Sequence, residues 1–183
     1  MNLVQVEVLY DRTQLQQRIT EMGKQISSDY MGKELLVVGI LKGAFVFMAD
    51  LIRQLDVPVE VDFMDVSSYG LSTSSSGEVR IIKDLENSIH NKDVLIVEDI
   101  VDTGLTLKYI TEILKKRNPR SLRICCLLDK PSRRKTDISP DYVGFSIPDK
   151  FVVGYGLDYA EQYRNYPDVC IIKPLALESG GTE

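Results

Sequence analysis

The most chemically loaded stretch of this 183-residue chain runs from Val94 to Thr106 and reads Val-Leu-Ile-Val-Glu-Asp-Ile-Val-Asp-Thr-Gly-Leu-Thr. Glu98 and Asp99 are adjacent carboxylates at the end of an apolar run, and Asp102 adds a third. Thr103, Gly104 and Thr106 supply small hydroxyls and a glycine just ahead of a helical pattern. That composition suits a tight loop whose backbone N–H groups face a phosphate, with the helix N-terminus adding positive potential. Carboxylates beside such a cradle suit sugar hydroxyls or a hard cation. The combination points to a phosphate on a polyhydroxylated carrier.

Several other residues lie where chemistry is possible, each with a plainer reading. Lys42-Gly43 closes an apolar run, as many strand-to-helix turns do. Ser67-Ser68-Tyr69-Gly70 opens a polar segment reaching Gly77, which reads either as a surface linker or as a lid that excludes water. Lys130 ends another apolar run, and Arg133, Arg134 and Lys135 follow it as a basic loop. Phe151 by itself reads as core packing, and Asp102 alone could cap the next helix. His90 is the lone histidine, in a polar turn, so no histidine triad or zinc site can be built. A Gly-Lys-Ser/Thr nucleotide loop is absent, and Gly154-Tyr155-Gly156 lacks the third glycine of a dinucleotide fingerprint. Haloacid-dehalogenase-like phosphatases space their aspartates two apart, whereas Asp99 and Asp102 are three apart.

The Val94–Thr106 stretch resembles the phosphoribosyl pyrophosphate signature of the type I phosphoribosyltransferases. With Asp102 at the fourth loop position it is most similar to their hypoxanthine-guanine branch. The resemblance spans roughly residues 35–174 and implies transfer of phosphoribose to N9 of hypoxanthine or guanine, giving IMP or GMP and pyrophosphate. It implies that Asp102, Thr103, Gly104, Leu105 and Thr106 hold the 5-phosphate and that Glu98 and Asp99 hold the ribose hydroxyls. Lys42, Gly43 and Arg164 would contact pyrophosphate, with Ser68 and Tyr69 in a catalytic flexible loop. Lys130 would meet the exocyclic oxygen of a 6-oxopurine, Phe151 would stack on the ring, and Val152 would pair with the base edge through its backbone. Asp158 would lie near the base and bind metal; Glu98, Asp99 and Asp158 are the implied Mg2+ ligands. Asp102 would exchange a proton with purine N7. A non-catalytic, RNA-binding nucleotide sensor on the same fold is the competing class; the set Lys42, Tyr69, Asp102, Lys130 and Arg164 argues against it.

Positioning these groups requires a particular series of elements. Leu15, Ile19, Met22, Ile26 and Tyr30 recur at helical spacing, with Asp11 or Thr13 as cap and an end near Gly32. Residues 35–41 read as a buried strand, 44–55 as a helix and 57–66 as an alternating strand. Residues 79–82 would be the return strand of a hairpin, and 94–97 the central strand. A helix then runs to Asn118-Pro119, with strands at 121–128, 142–147 and 169–172, the last closing the core, and a loose tail from 178 to 183. Apolar runs alternating with helical patterns predict an α/β doubly wound parallel sheet. The resemblance implies the type I fold: a five-stranded parallel core flanked by helices, with a hood from the N-terminal segment and about 148–175. Residues 1–183 read as one domain.

Apolar residues make up 44% and charged residues 27%, and the net charge of −5 argues against a nucleic-acid surface. Cys125, Cys126 and Cys170 all fall in apolar runs and suggest reduced, buried thiols rather than a disulfide framework. No apolar run approaches membrane-spanning length. These features predict a cytoplasmic protein, and the resemblance implies a homodimer or homotetramer.

Overall fold

The computed structural model describes residues 4–69 and 78–174. β2 (Leu35–Leu41), β3 (Val59–Tyr69), β5 (Asp93–Val101), β6 (Ser121–Asp129) and β7 (Tyr142–Ser146) form a parallel sheet in the order β3-β2-β5-β6-β7. β4 (Glu78–Lys83) adds an antiparallel sixth strand beside β3. Both faces of the central strands β2 and β5 are covered, which is why they read as apolar runs, whereas β3 nearer the edge alternates. Leu15, Ile19, Met22 and Ile26 of α1 (Arg12–Asp29) pack with α2 (Phe45–Ile52) over Leu35, Val37, Leu95 and Val97. Leu107, Ile110 and Leu114 of α3 (Leu105–Lys115) cover Leu36, Val38, Val94 and Ile96 on the other face. Cys125 and Cys126 fall one on each face, fully buried, and burial pushes both thiols up.

α1 begins on a capping box: Asp11 Oδ1 accepts from Thr13 N and Gln14 N, and Gln14 Oε1 accepts from Asp11 N. A second, three-stranded antiparallel sheet has the order β1-β9-β8, from β1 (Val4–Tyr10), β8 (Val152–Val153) and β9 (Val169–Pro174). The strand at 169–172 lies in this small sheet, within the span expected for the hood, and Val169 packs into the core. One expectation is corrected. β3 continues through Ser67-Ser68-Tyr69, because β4 offers those residues backbone partners as far as Glu78. The rest of the expected lid, residues 70–77, lies outside the described residues, as do the side chains of Ser68 and Tyr69 and the tail. α2 also ends at Ile52, short of the expected end at residue 55, and Phe45 at its start is exposed.

Candidate active site

The carboxyl ends of β2, β5 and β6 and the loops after them meet at one edge of the sheet, where open α/β folds bind ligands. A cavity of about 250 Å³ opens there, lined by Leu41, Gly43, Glu98, Asp99, Asp102, Thr103, Gly104 and Thr106 among others. β5 outlasts its pairing with β2, which stops at Gly39↔Val97, so Glu98 and Asp99 extend beyond that neighbour. Strand alternation continues the face of Leu95 and Val97 through Asp99, and that of Val94 and Ile96 through Glu98.

Burial raises both carboxyls: Glu98 well above the carboxylate range, with Asp99 adding to the push, and Asp99 up to about 6. Between its ordinary value and that one, folded Asp99 holds its proton more tightly than the unfolded chain does. Stability therefore falls as pH rises through that window. Metal-free Asp99→Asn is expected to melt several degrees above the parent at about pH 8, with the gap closing towards about pH 4. Melting curves across pH check this; a gap that does not vary with pH contradicts it.

The Asp102–Thr106 loop bends at Gly104, whose φ of +79° is a left-handed conformation costly for other residues. Gly104 is the N-cap of α3 and forms no side-chain cap bond, so Asp102 does not cap the helix. Arg134 Nε donates to the Asp102 carbonyl at 3.2 Å, and Lys135 N to the Thr103 carbonyl at 2.9 Å. Arg134 also pairs with Asp129, so the phosphate-type loop is braced from behind by the segment after β6. The Asp102 carboxylate turns elsewhere: Oδ1 accepts from Arg133 Nε at 3.1 Å, and Oδ2 lies 3.9 Å from Lys130 Nζ. Lys130 is nearly buried, its side chain 8% exposed.

Gly43 is required by close approach. A Cβ there would sit 1.6 Å from Asp99 Oδ2. The Leu41–Lys42 peptide before it is cis. Lys42 Nζ reaches Glu161 Oε2 at 3.0 Å. Arg164 donates from Nη1 to the Gly156 carbonyl at 2.9 Å, and its Nη2 lies 3.0 Å from Asp158 Oδ1 and 3.4 Å from Glu161 Oε2. Lys42, Glu161, Arg164 and Asp158 thus form one chain of alternating charge. Phe151 is 53% exposed and meets Tyr159 edge-on at 5.6 Å, so it is not a core residue. Ile172 N donates to the Phe151 carbonyl, which makes Phe151 a hydrogen-bonded position of the β8–β9 ladder. The next residue, Val152, therefore turns its backbone groups away from β9 towards the free edge of the small sheet.

Among the described residues no group of three ligand-type side chains converges tightly enough to hold a metal unaided. Glu98 and Asp99 instead offer two adjacent, interacting carboxyls, and Asp158 a third that is occupied by Arg164. One or two protein carboxylates plus substrate oxygens is the donor set Mg2+ prefers, so these residues fit that ion. Glu161, Arg133, Arg134 and Asp149 are site residues that sequence reading left without roles. Their only signal was charge, and their partners lie as far as 119 residues away.

Residues 5–160 match the family model for the phosphoribosyl transferase domain. The chain is 54% identical over 173 residues to a hypoxanthine-guanine phosphoribosyltransferase of Bacillus subtilis, covering 94% of this chain and 96% of that one. It is 58% identical over 168 residues to the Staphylococcus aureus protein of the same name, covering 92% and 94%. A crystal structure of a Staphylococcus aureus hypoxanthine phosphoribosyltransferase superposes with a TM-score of 0.89 at 58% identity, over 92% of this chain and 91% of that one.

Proposed function

The chain belongs to the phosphoribosyl transferase family, and from that premise we propose how its site performs purine salvage. The enzyme moves the 5-phosphoribosyl group from phosphoribosyl pyrophosphate to N9 of hypoxanthine or guanine, releasing pyrophosphate and giving IMP or GMP. The observation that carries the assignment is one juxtaposition. A carboxylate and a nearly buried ammonium, Asp102 and Lys130, stand 3.9 Å apart at the edge of the Thr103–Thr106 cradle. That pair matches the N7 and O6 edge of an oxopurine, next to the place where the sugar phosphate must lie.

Each chemical demand has a group to meet it. Backbone amides and hydroxyls from Asp102 to Thr106, Leu105 N included, hold the 5-phosphate at the start of α3. Glu98 and Asp99 accept from the ribose hydroxyls. Lys42 and Arg164 lie on the pyrophosphate side; both are paired with Glu161 and can exchange that carboxylate for phosphate oxygens. Magnesium, held by Glu98, Asp99 and Asp158 together with substrate oxygens, would neutralise charge on the leaving group when bound. Positive charge grows at C1 as pyrophosphate leaves, so water must be kept away; the Ser68-Tyr69 segment is assigned that task. Asp102 takes or returns the N7 proton and so raises the nucleophilicity of N9. Phe151 provides a ring face for the purine, and the outward Val152 backbone provides its edge contact. A homodimer or homotetramer in the cytoplasm is the working form proposed from the family resemblance.

A steady-state assay with phosphoribosyl pyrophosphate, magnesium and each of hypoxanthine, guanine, xanthine and adenine tests this reading. Turnover with hypoxanthine or guanine and none with adenine is expected; turnover with adenine alone overturns the roles of Asp102 and Lys130. Lys130→Met should raise the KM for hypoxanthine about 10–100-fold, the effect of losing a charge-assisted hydrogen bond. The KM for phosphoribosyl pyrophosphate should stay near that of the parent. An equal rise in both constants would show that Lys130 supports the loop and does not read the base.

A further inference from the structure

Lys130 stands between two carboxylates and bonds directly to neither. Its Nζ is 3.9 Å from Asp102 Oδ2 and 3.8 Å from Asp149 Oδ1. Arg133 stands between the same two acids, with Nε 3.1 Å from Asp102 Oδ1 and Nη1 3.7 Å from Asp149 Oδ2. The four side chains close a square of alternating sign. Asp102 comes from the end of β5, Lys130 and Arg133 from the turn after β6, and Asp149 from the connection between β7 and β8. We propose that Asp149 and Arg133 are positioning residues: together they keep the Lys130 ammonium and the Asp102 carboxylate apart and free for the purine.

Elementary electrostatics supports this. With Asp102 as its only acid neighbour, a nearly buried lysine would move in by about 1 Å to a contact hydrogen bond. One Asp102 oxygen and one Lys130 N–H would then be committed to each other, and both groups would be drawn off the positions that N7–H and O6 need. Asp149 pulls on the same ammonium from an almost equal distance and offsets that drift. Arg133 must also release Asp102 when N7 arrives, and Asp149 is the second carboxylate already within its reach. Asp149 precedes Phe151 by two residues, so a tighter Arg133–Asp149 pair would draw the stacking ring's own loop towards the base. Asp149 and Arg133 are about half exposed, at 55% and 46%. Exposed pairs add little to stability, so their substitution should change kinetics rather than folding.

The inference rests on the oxopurine reading of the pocket, and the test separates the two. Asp149→Asn should raise the KM for hypoxanthine about five- to twenty-fold, the scale of coupling between neighbouring charges. The KM for phosphoribosyl pyrophosphate and the melting temperature should stay unchanged, and Asp149→Glu should recover most of the loss. In a Lys130→Met background the same Asp149→Asn change should have a much smaller effect, because the group it positions is gone. If the parent turns over hypoxanthine but Asp149→Asn leaves its KM within about two-fold, at the level of an uncoupled site, the positioning role is overturned and the oxopurine assignment stands. So too if Asp149→Asn acts equally with and without Lys130. If the parent turns over no oxopurine, the assignment itself fails, and this inference with it.

Discussion

Asp102→Asn is expected to bind phosphoribosyl pyrophosphate as the parent does and to lose turnover by roughly 10²–10⁴-fold, the usual contribution of a positioned acid or base. The geometry makes the substitution clean. Asparagine has the same shape and keeps an oxygen for Arg133 Nε, which donates to Asp102 Oδ1 at 3.1 Å. The loop backbone should hold as well, because it is braced through the Asp102 carbonyl and Arg134, not through the carboxylate. What the amide cannot do is take and return a proton. Since α3 starts at Gly104 without a side-chain cap, no helix-capping energy is lost that could masquerade as a catalytic effect. Steady-state kcat, with the affinity for the sugar donor measured by calorimetry, checks this. Parent-like turnover would reduce Asp102 to an anchor for Arg133.

Gly43→Ala is the second large effect. An added Cβ would lie 1.6 Å from Asp99 Oδ2 and 2.5 Å from its Cγ, so either the turn after β2 or the carboxylate must move. The fold should survive, as overpacking at one site costs about 1–3 kcal/mol. Catalysis should suffer far more. A displacement near 1 Å in a positioned site costs on the order of 10²-fold, and here the turn proposed for pyrophosphate and the carboxylate proposed for the ribose would shift together. A loss of kcat/KM for the sugar donor of about 10²-fold or more is expected, with cooperative melting retained. Parent-like kcat/KM would mean that Asp99 and the Lys42-Gly43 turn do not share one substrate.

The core was readable because its information is local. Residues 94–97 are apolar without interruption, 35–41 are broken only by Gly39, and 124–128 complete the next strand as an apolar run, the pattern of strands covered on both faces. The phosphate-type loop was equally plain, since Thr103, Gly104 and Thr106 lie within a few residues of one another. What could not be read depends on partners distant in sequence. Val4, Val6 and Val8 alternate as a strand should, but β1 finds its partner in β9, 159 to 170 residues on, so its sheet cannot be read from its own residues. The Ser67–Tyr69 stretch looks like loop by composition and is strand only because β4 lies beside it. Asp102 offered two roles in the sequence, and only the fold, with Gly104 at the N-cap and Arg133 at the carboxylate, shows which way it faces. Glu161 lies only three residues before Arg164, yet its bond to Lys42 spans 119 residues.

The most direct measurement is a crystal structure of the enzyme with phosphoribosyl pyrophosphate and magnesium. The 5-phosphate should rest on the backbone amides from Thr103 to Thr106 at the start of α3, with the ribose hydroxyls on Glu98 and Asp99 and the pyrophosphate towards Lys42 and Arg164. A donor lodged elsewhere, or one seated with its 5-phosphate against Lys42 and its pyrophosphate over Gly104, would contradict the assignment of the site.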